Sequence, residues 1–201
     1  LCETSSFFIV TLGCGSTIAE NCTYFESTGN NAVAGGCRTR LCKCSEDICQ
    51  IRLDFLTFAI TGPSTDSASV GAILNGEQVK TANGKQVANA ARCLTDTFAI
   101  SNQDTVPVIC GTNTGFHVYF DVSDACHDLD FAFGQNAVGV TSVANRMWSI
   151  KVSQYSCNYE NLAPSGCNQW FFGPGATNIV KSYNFDGGKH LADQTQTICV
   201  R

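Results

Sequence analysis

Ile48-Cys49-Gln50-Ile51-Arg52-Leu53-Asp54-Phe55-Leu56-Thr57-Phe58 is the stretch that decides the fold. Ile51, Leu53 and Phe55 alternate with Arg52 and Asp54, so an extended chain here has one apolar face and one polar face. The same period of two recurs at Phe116, Val118, Phe120 and Val122, which alternate with His117, Tyr119 and Asp121. It recurs again at Leu129, Phe131 and Phe133, and at Trp148, Ile150 and Val152. Clusters of Gly, Asn, Asp and Ser separate these runs and read as turns. Short strands joined by turns, without a helical period, predict an all-β antiparallel sandwich.

Thirteen cysteines in 201 residues place such a chain in an oxidising compartment, so it reads as secreted and extracellular. The count is odd, so one thiol is free, bonded to another chain, or separated from its partner. Charged residues make up 14%, against about 25% in ordinary soluble domains, which fits a surface of Ser, Thr, Asn, Gln and Gly stabilised by disulfides. The formal charge is −5, with no basic run or stripe to hold nucleic acid. No apolar stretch approaches the roughly 18 residues of a membrane span. Phe7 to Leu12 reads as a strand, not a signal peptide, and Leu1 as a processed or trimmed start.

One stretch, residues 62–91, departs from the strand pattern. It is polar, rich in small residues and long for a connection, with two Asn-Gly turn signals at Asn75-Gly76 and Asn83-Gly84. A weak internal repeat relates Cys14, Cys22 and Cys37-Arg38 to Cys157, Cys167 and Cys199-Val200-Arg201. In each copy an aromatic pair follows the middle cysteine: Tyr24-Phe25 in the first and Trp170-Phe171 in the second.

Cys14-Gly15, Cys37, the Ile51 to Phe58 strand, Cys93 to Asp96, Cys110-Gly111 and a closing aromatic strand resemble the CUB domain family. Asn21 to Phe25, Ile109 to Gly115, Trp148 to Val152 and Ala163 to Cys167 resemble the arthropod-type secreted members. The resemblance implies a disulfide-rich, jelly-roll-like β-sandwich. Its boundaries would be an N-terminal strand or extension at 1–13, a CUB-like domain at 14–156 with the 62–91 insertion, and 157–201 as the start of a second module or a C-terminal β-extension. It also implies the bridges Cys14–Cys37 and Cys93–Cys110. Cys44 and Cys49 flank a tight segment and are then expected to close a hairpin, with Cys22 and Cys42 pairing across neighbouring strands. Cys2, Cys126, Cys157, Cys167 and Cys199 are left over, drawn mainly from the chain ends, where a partner from another chain or a longer precursor is expected.

Many CUB domains hold Ca²⁺ through a Tyr, a Glu and two Asp. Only Asp96 matches well here, with Tyr24 and Glu26 near the right region. Ile60-Thr61 and Gly134-Gln135 stand where further acids are expected. Calcium takes six to eight oxygens, so no cofactor is expected and Asp96 reads as a solvated turn residue. His127, Asp128 and Asp130 are too few and too poorly spaced for zinc. His127 and Asp128 are expected in a turn, with Asp130 facing outward. His117, Tyr119 and Asp121 share one strand face, expected to be its wet side. There is no Gly-x-Ser-x-Gly elbow and no His-Glu-x-x-His helix, and a triad needs geometry that residue types do not supply. Asn21-Cys22-Thr23 is a glycosylation sequon at Asn21.

The expected function is non-enzymatic recognition of an extracellular protein or glycan. The alternatives are a structural or self-assembling component, as a homo-oligomer or disulfide-linked chain, and a regulatory fragment of a larger secreted protease.

Overall fold

The structure is a computed structural model that describes residues 10–27, 35–63, 91–134, 146–173, 179–192 and 194–201. Cys2, the Asn-Gly pairs at 75 and 83, and nearly all of the 62–91 stretch lie outside the described residues.

Among the described residues eleven strands form, in chain order: β1 (Thr11–Leu12), β2 (Thr17–Ile18), β3 (Thr23–Glu26), β4 (Gly35–Cys42), β5 (Ile48–Ala59), β6 (Asp96–Ile100), β7 (His117–Asp121), β8 (Cys126–Phe133), β9 (Met147–Ser156), β10 (Gln169–Phe171) and β11 (Ile198–Val200). They make one sheet of order β1-β3-β9-β5-β7, a second of order β2-β4-β8-β6, and a small β10-β11 ribbon. The long pairings within the two main sheets are antiparallel, while β1–β3, β2–β4 and β10–β11 are parallel. The molecule is an all-β, disulfide-rich β-sandwich, as the alternating runs predict.

The alternation locates the core. Phe25, Phe55, Phe58 and Trp148 enter from the five-stranded sheet, and Phe98 and Phe131 from the four-stranded sheet. Phe131 stacks on Trp148 with centroids 4.2 Å apart, and Phe98 packs on Phe131 at 4.6 Å. Each fully buried large apolar side chain stabilises by about 1.5–3 kcal/mol. The spacing of Phe55 and Phe58 is explained by a register shift against β9 between Phe55 and Thr57. That irregularity lets both rings point inward, 4.7 Å apart, and turns Leu56 out to solvent.

Five bridges link described residues: Cys14–Cys37, Cys42–Cys126, Cys49–Cys157, Cys93–Cys110 and Cys167–Cys199. Two expected pairings are corrected. Cys42 lies directly opposite Cys126 in the β4–β8 register, whereas Cys22 precedes β3 in the other sheet. Cys22 is disulfide-bonded, but not to Cys42. Cys49 does not close a hairpin with Cys44. The antiparallel β5–β9 ladder brings Cys157 beside it, with Cys157 N–H donating to Asp47 O at 2.8 Å. Cys44 is left free and exposed in the β4–β5 turn. The unpaired thiol therefore sits there and not among the end cysteines Cys157, Cys167 and Cys199.

Candidate functional site

The outer face of β7 was expected to be wet, and it is not. His117 and Tyr119 are buried because the chain after β9 folds back over them. Tyr119 N–H donates to Asn168 O at 2.7 Å, and Trp170 N–H donates to His117 Nε2 at 3.0 Å. The Tyr183 hydroxyl donates to His117 O at 3.1 Å. Ala163, Cys167 and Trp170 pack on Tyr119 as a second, smaller core. Burial, and after it the nearby Arg52 guanidinium, lowers the His117 pKa to about 4, so the imidazole is neutral and its Nε2 accepts. Asp121, the third residue of the stripe, stays exposed, its carboxylate taking hydrogen bonds from Gln50 and Ser165.

Beside this cover a row of aromatic rings leads from buried Tyr119 outward to Tyr155 and Tyr159. Tyr119 stacks toward Tyr155, centroids 6.4 Å apart, and Tyr155 stacks on Tyr159 at 4.9 Å. Tyr155 and Tyr159 are half-buried, so part of each ring meets solvent. Burial pushes the Tyr155 phenol up to about 12, so it remains a neutral donor. Arg52 lies over the Tyr119 ring at 5.2 Å, donates to its hydroxyl at 2.9 Å, and grips Asp54 Oδ1 through Nε and Nη2. Apolar ring faces, phenol hydroxyls and one fixed ion pair thus occupy a single patch. Phenol rings combine an apolar face for stacking with a polar handle for hydrogen bonding. A cavity of about 230 Å³ is lined by Tyr119 together with Asn102, Asp104, Asp121, Ser123 and Ser165 among others.

The other candidate residues are placed as follows. His127 is not in a turn but on β8, fully buried against Phe120, its Nδ1 3.0 Å from Ser101 O. A strand residue with the inward phase of Leu129 and Phe131 has no other place to go. Asp130 does face outward and pairs with Arg38. Asp96 is not a solvated turn residue: it opens β6, is fully buried and forms an ion pair with Arg146. Tyr24 and Glu26 alternate with inward Phe25 and so lie on the outer face of β3, where Glu26 accepts from Ser149. They do not converge with Asp96, and among the described residues no three His, Cys, Asp or Glu side chains gather as a metal site. The residues present do not fit the calcium constellation that the family resemblance implies.

Asn21 is tied to β9 through both ends of its amide. Nδ2 donates to Gln154 O at 2.9 Å and Oδ1 accepts from Gln154 N–H at 2.7 Å. The nitrogen a glycan would occupy is the one bonded to Gln154.

Sequence reasoning missed Arg146, Gln154, Tyr155 and Tyr159. Arg146 is a lone cation ahead of the Trp148 run, and nothing local marks its partner fifty residues away. The two tyrosines, four apart across a strand end, fit no period.

The model of the animal CUB domain matches residues 164–201. The match supports the CUB family. It covers only part of the chain, the segment that folds over His117 and Tyr119. No curated protein matches the chain. The family, together with the disulfides, suggests an extracellular binding module. CUB domains are generally non-enzymatic and mediate extracellular protein interactions. No helix among the described residues is long and apolar enough to cross a membrane.

Proposed function

We propose that this chain is a secreted, non-catalytic recognition module for an extracellular protein or glycan, and that its contact surface is the Tyr155–Tyr159 pair with Arg52 and Asp54, backed by buried Tyr119. The observation that carries the reading is the half-exposed stacking of Tyr155 on Tyr159 beside a fixed ion pair. Aromatic side chains lose little conformational entropy on binding and supply large contact area. In this reading residues 157–201 work as an extension of the 14–156 module, since they cover β7 and leave the tyrosine row at their border. The test is capture of immobilised glycans and of secreted proteins by the whole chain, wild type against Tyr155→Ala/Tyr159→Ala. Loss of capture at an unchanged melting temperature supports the assignment. Capture that survives the double substitution removes this surface from consideration.

A second reading, covalent self-assembly, is favoured by one observation: Cys44 is exposed and free in a chain whose other described cysteines are bridged. Non-reducing electrophoresis of wild type and Cys44→Ser separates the two. A dimer band that disappears in the variant supports assembly, and a monomer in both leaves recognition alone.

A further inference from the structure

We infer that Arg146 supplies from within the chain the cation that closes this end of the sandwich, so that the fold is independent of calcium. The inference starts from Asp96, whose side chain is 0% exposed, and Arg146, at 2%. Asp96 Oδ2 accepts from Arg146 Nε at 2.8 Å and from Thr61 N–H at 2.8 Å. Oδ1 accepts from Arg146 Nη2 at 2.8 Å and from Gly134 N–H at 3.2 Å, a hydrogen that Gly134 shares with Thr95 O. An ionised carboxylate has about four acceptor positions, and all four are in use.

The guanidinium is held as firmly as the carboxylate. Nη2 also donates to Gly134 O at 2.8 Å, and the group lies over the Phe133 ring at 4.9 Å. Its fork is planar and two-pronged, matching the carboxylate edge in a way that a hydrated point charge does not.

The place of this pair in the topology gives it a wider role. Asp96 opens β6, Gly134 follows β8, Thr61 comes shortly after β5, and Arg146 immediately precedes β9. β5 and β9 belong to the five-stranded sheet, and β6 and β8 to the four-stranded one. One ion pair therefore ties four strand ends across both layers. A divalent ion bridging the same end would do comparable work. Calcium, however, needs six to eight oxygens at roughly 2.3–2.6 Å, and Asp96 has no acceptor position to give. Admitting the ion would displace the guanidinium from the buried carboxylate edge that it grips through Nε and Nη2, and breaking a buried ion pair is strongly destabilising. Tyr24 and Glu26, the other two candidates, face the opposite side of their sheet.

The test uses the whole chain and needs no knowledge of the partner. Thermal unfolding is recorded with millimolar calcium and with excess EDTA, and calcium alone is titrated calorimetrically. The expected result is coincident melting curves and no binding isotherm. A calcium-dependent rise in melting temperature, or a saturable isotherm that Asp96→Asn abolishes, would overturn the inference. Arg146→Ala is expected to lower the melting temperature by several degrees or to prevent folding, and Arg146→Lys to recover only part of the loss. Full recovery by lysine would mean that charge alone suffices and would overturn the two-pronged role. If Arg146→Ala does not fold, the wild-type measurements still decide the question.

Discussion

His117 Nε2 accepts the backbone N–H of Trp170 at 3.0 Å, and this bond joins the sandwich to the segment that covers it. The acceptor exists only while the imidazole is neutral. Burial first, and Arg52 second, bring the pKa down from 6.5 to about 4. The folded chain therefore resists a proton that the unfolded chain accepts. The contribution to stability is complete above about pH 6.5, falls as the pH drops from 6.5 toward 4, and is level below that. At about 1.36 kcal/mol per unit the full span is on the order of 3 kcal/mol. Melting temperature against pH should fall more steeply across this window for wild type than for His117→Gln. Parallel curves would show that His117 does not carry the dependence.

Cys44 should be the thiol that reacts when the folded, unreduced chain meets an alkylating reagent. It is exposed, and every other described cysteine is bridged. Peptide mapping is expected to find the label on the Cys44 peptide. A label on Cys49 or Cys157 instead would refute the pairing described above. Cys44→Ser should melt within about 0.5 kcal/mol of wild type, as surface substitutions usually do.

Cys49–Cys157 spans 108 residues and anchors the start of the covering segment to β5. Its removal by Cys49→Ser/Cys157→Ser relaxes a long loop in the unfolded chain. The expected loss is about 4–5 kcal/mol in the chain-entropy picture. Denaturant titration measures it directly. A loss no larger than that of a surface substitution would mean the bridge constrains little.

Asn21→Ala should destabilise by about 1–3 kcal/mol, because it leaves the N–H and C=O of Gln154 without their partners beside β3. Gln154 itself reaches from β9 to the β4–β5 turn, accepting from Cys44 N–H and donating to Cys42 O. Gln154→Leu is expected to cost a similar amount. Equal stability of both variants and wild type, read from denaturant midpoints, would count against this chain of contacts.

Much of the fold was legible because strand periodicity is a local property. Ile51, Leu53 and Phe55, then Leu129, Phe131 and Phe133, then Trp148, Ile150 and Val152, all point where their alternation places them. His117 and Tyr119 defeated the same reasoning. Alternation separates two faces of a strand, but it does not say whether the second face meets water or a later stretch of chain. His127 was misplaced for a related reason: a polar residue next to a cysteine and two aspartates reads as a turn until the β4–β8 register draws Cys126 and all that follows it into a strand. The candidate site was less legible than the fold. Asp96 was identifiable, but its partner Arg146 was not, and the tyrosine row forms only when β9 and β7 lie on either side of β5.

By itself, the sequence determined a cysteine-rich chain, a β-sandwich with alternating inward aromatics, and the presence of one cysteine too many. These follow from composition, parity and a period of two, none of which needs a partner in space. Only the tertiary structure decided which cysteine is left over, that Asp96 answers to an arginine, and that β7 is covered on both sides. Each of these depends on residues distant in sequence. Strand register and the return of the chain after β9 bring them together, and neither is encoded in any single stretch.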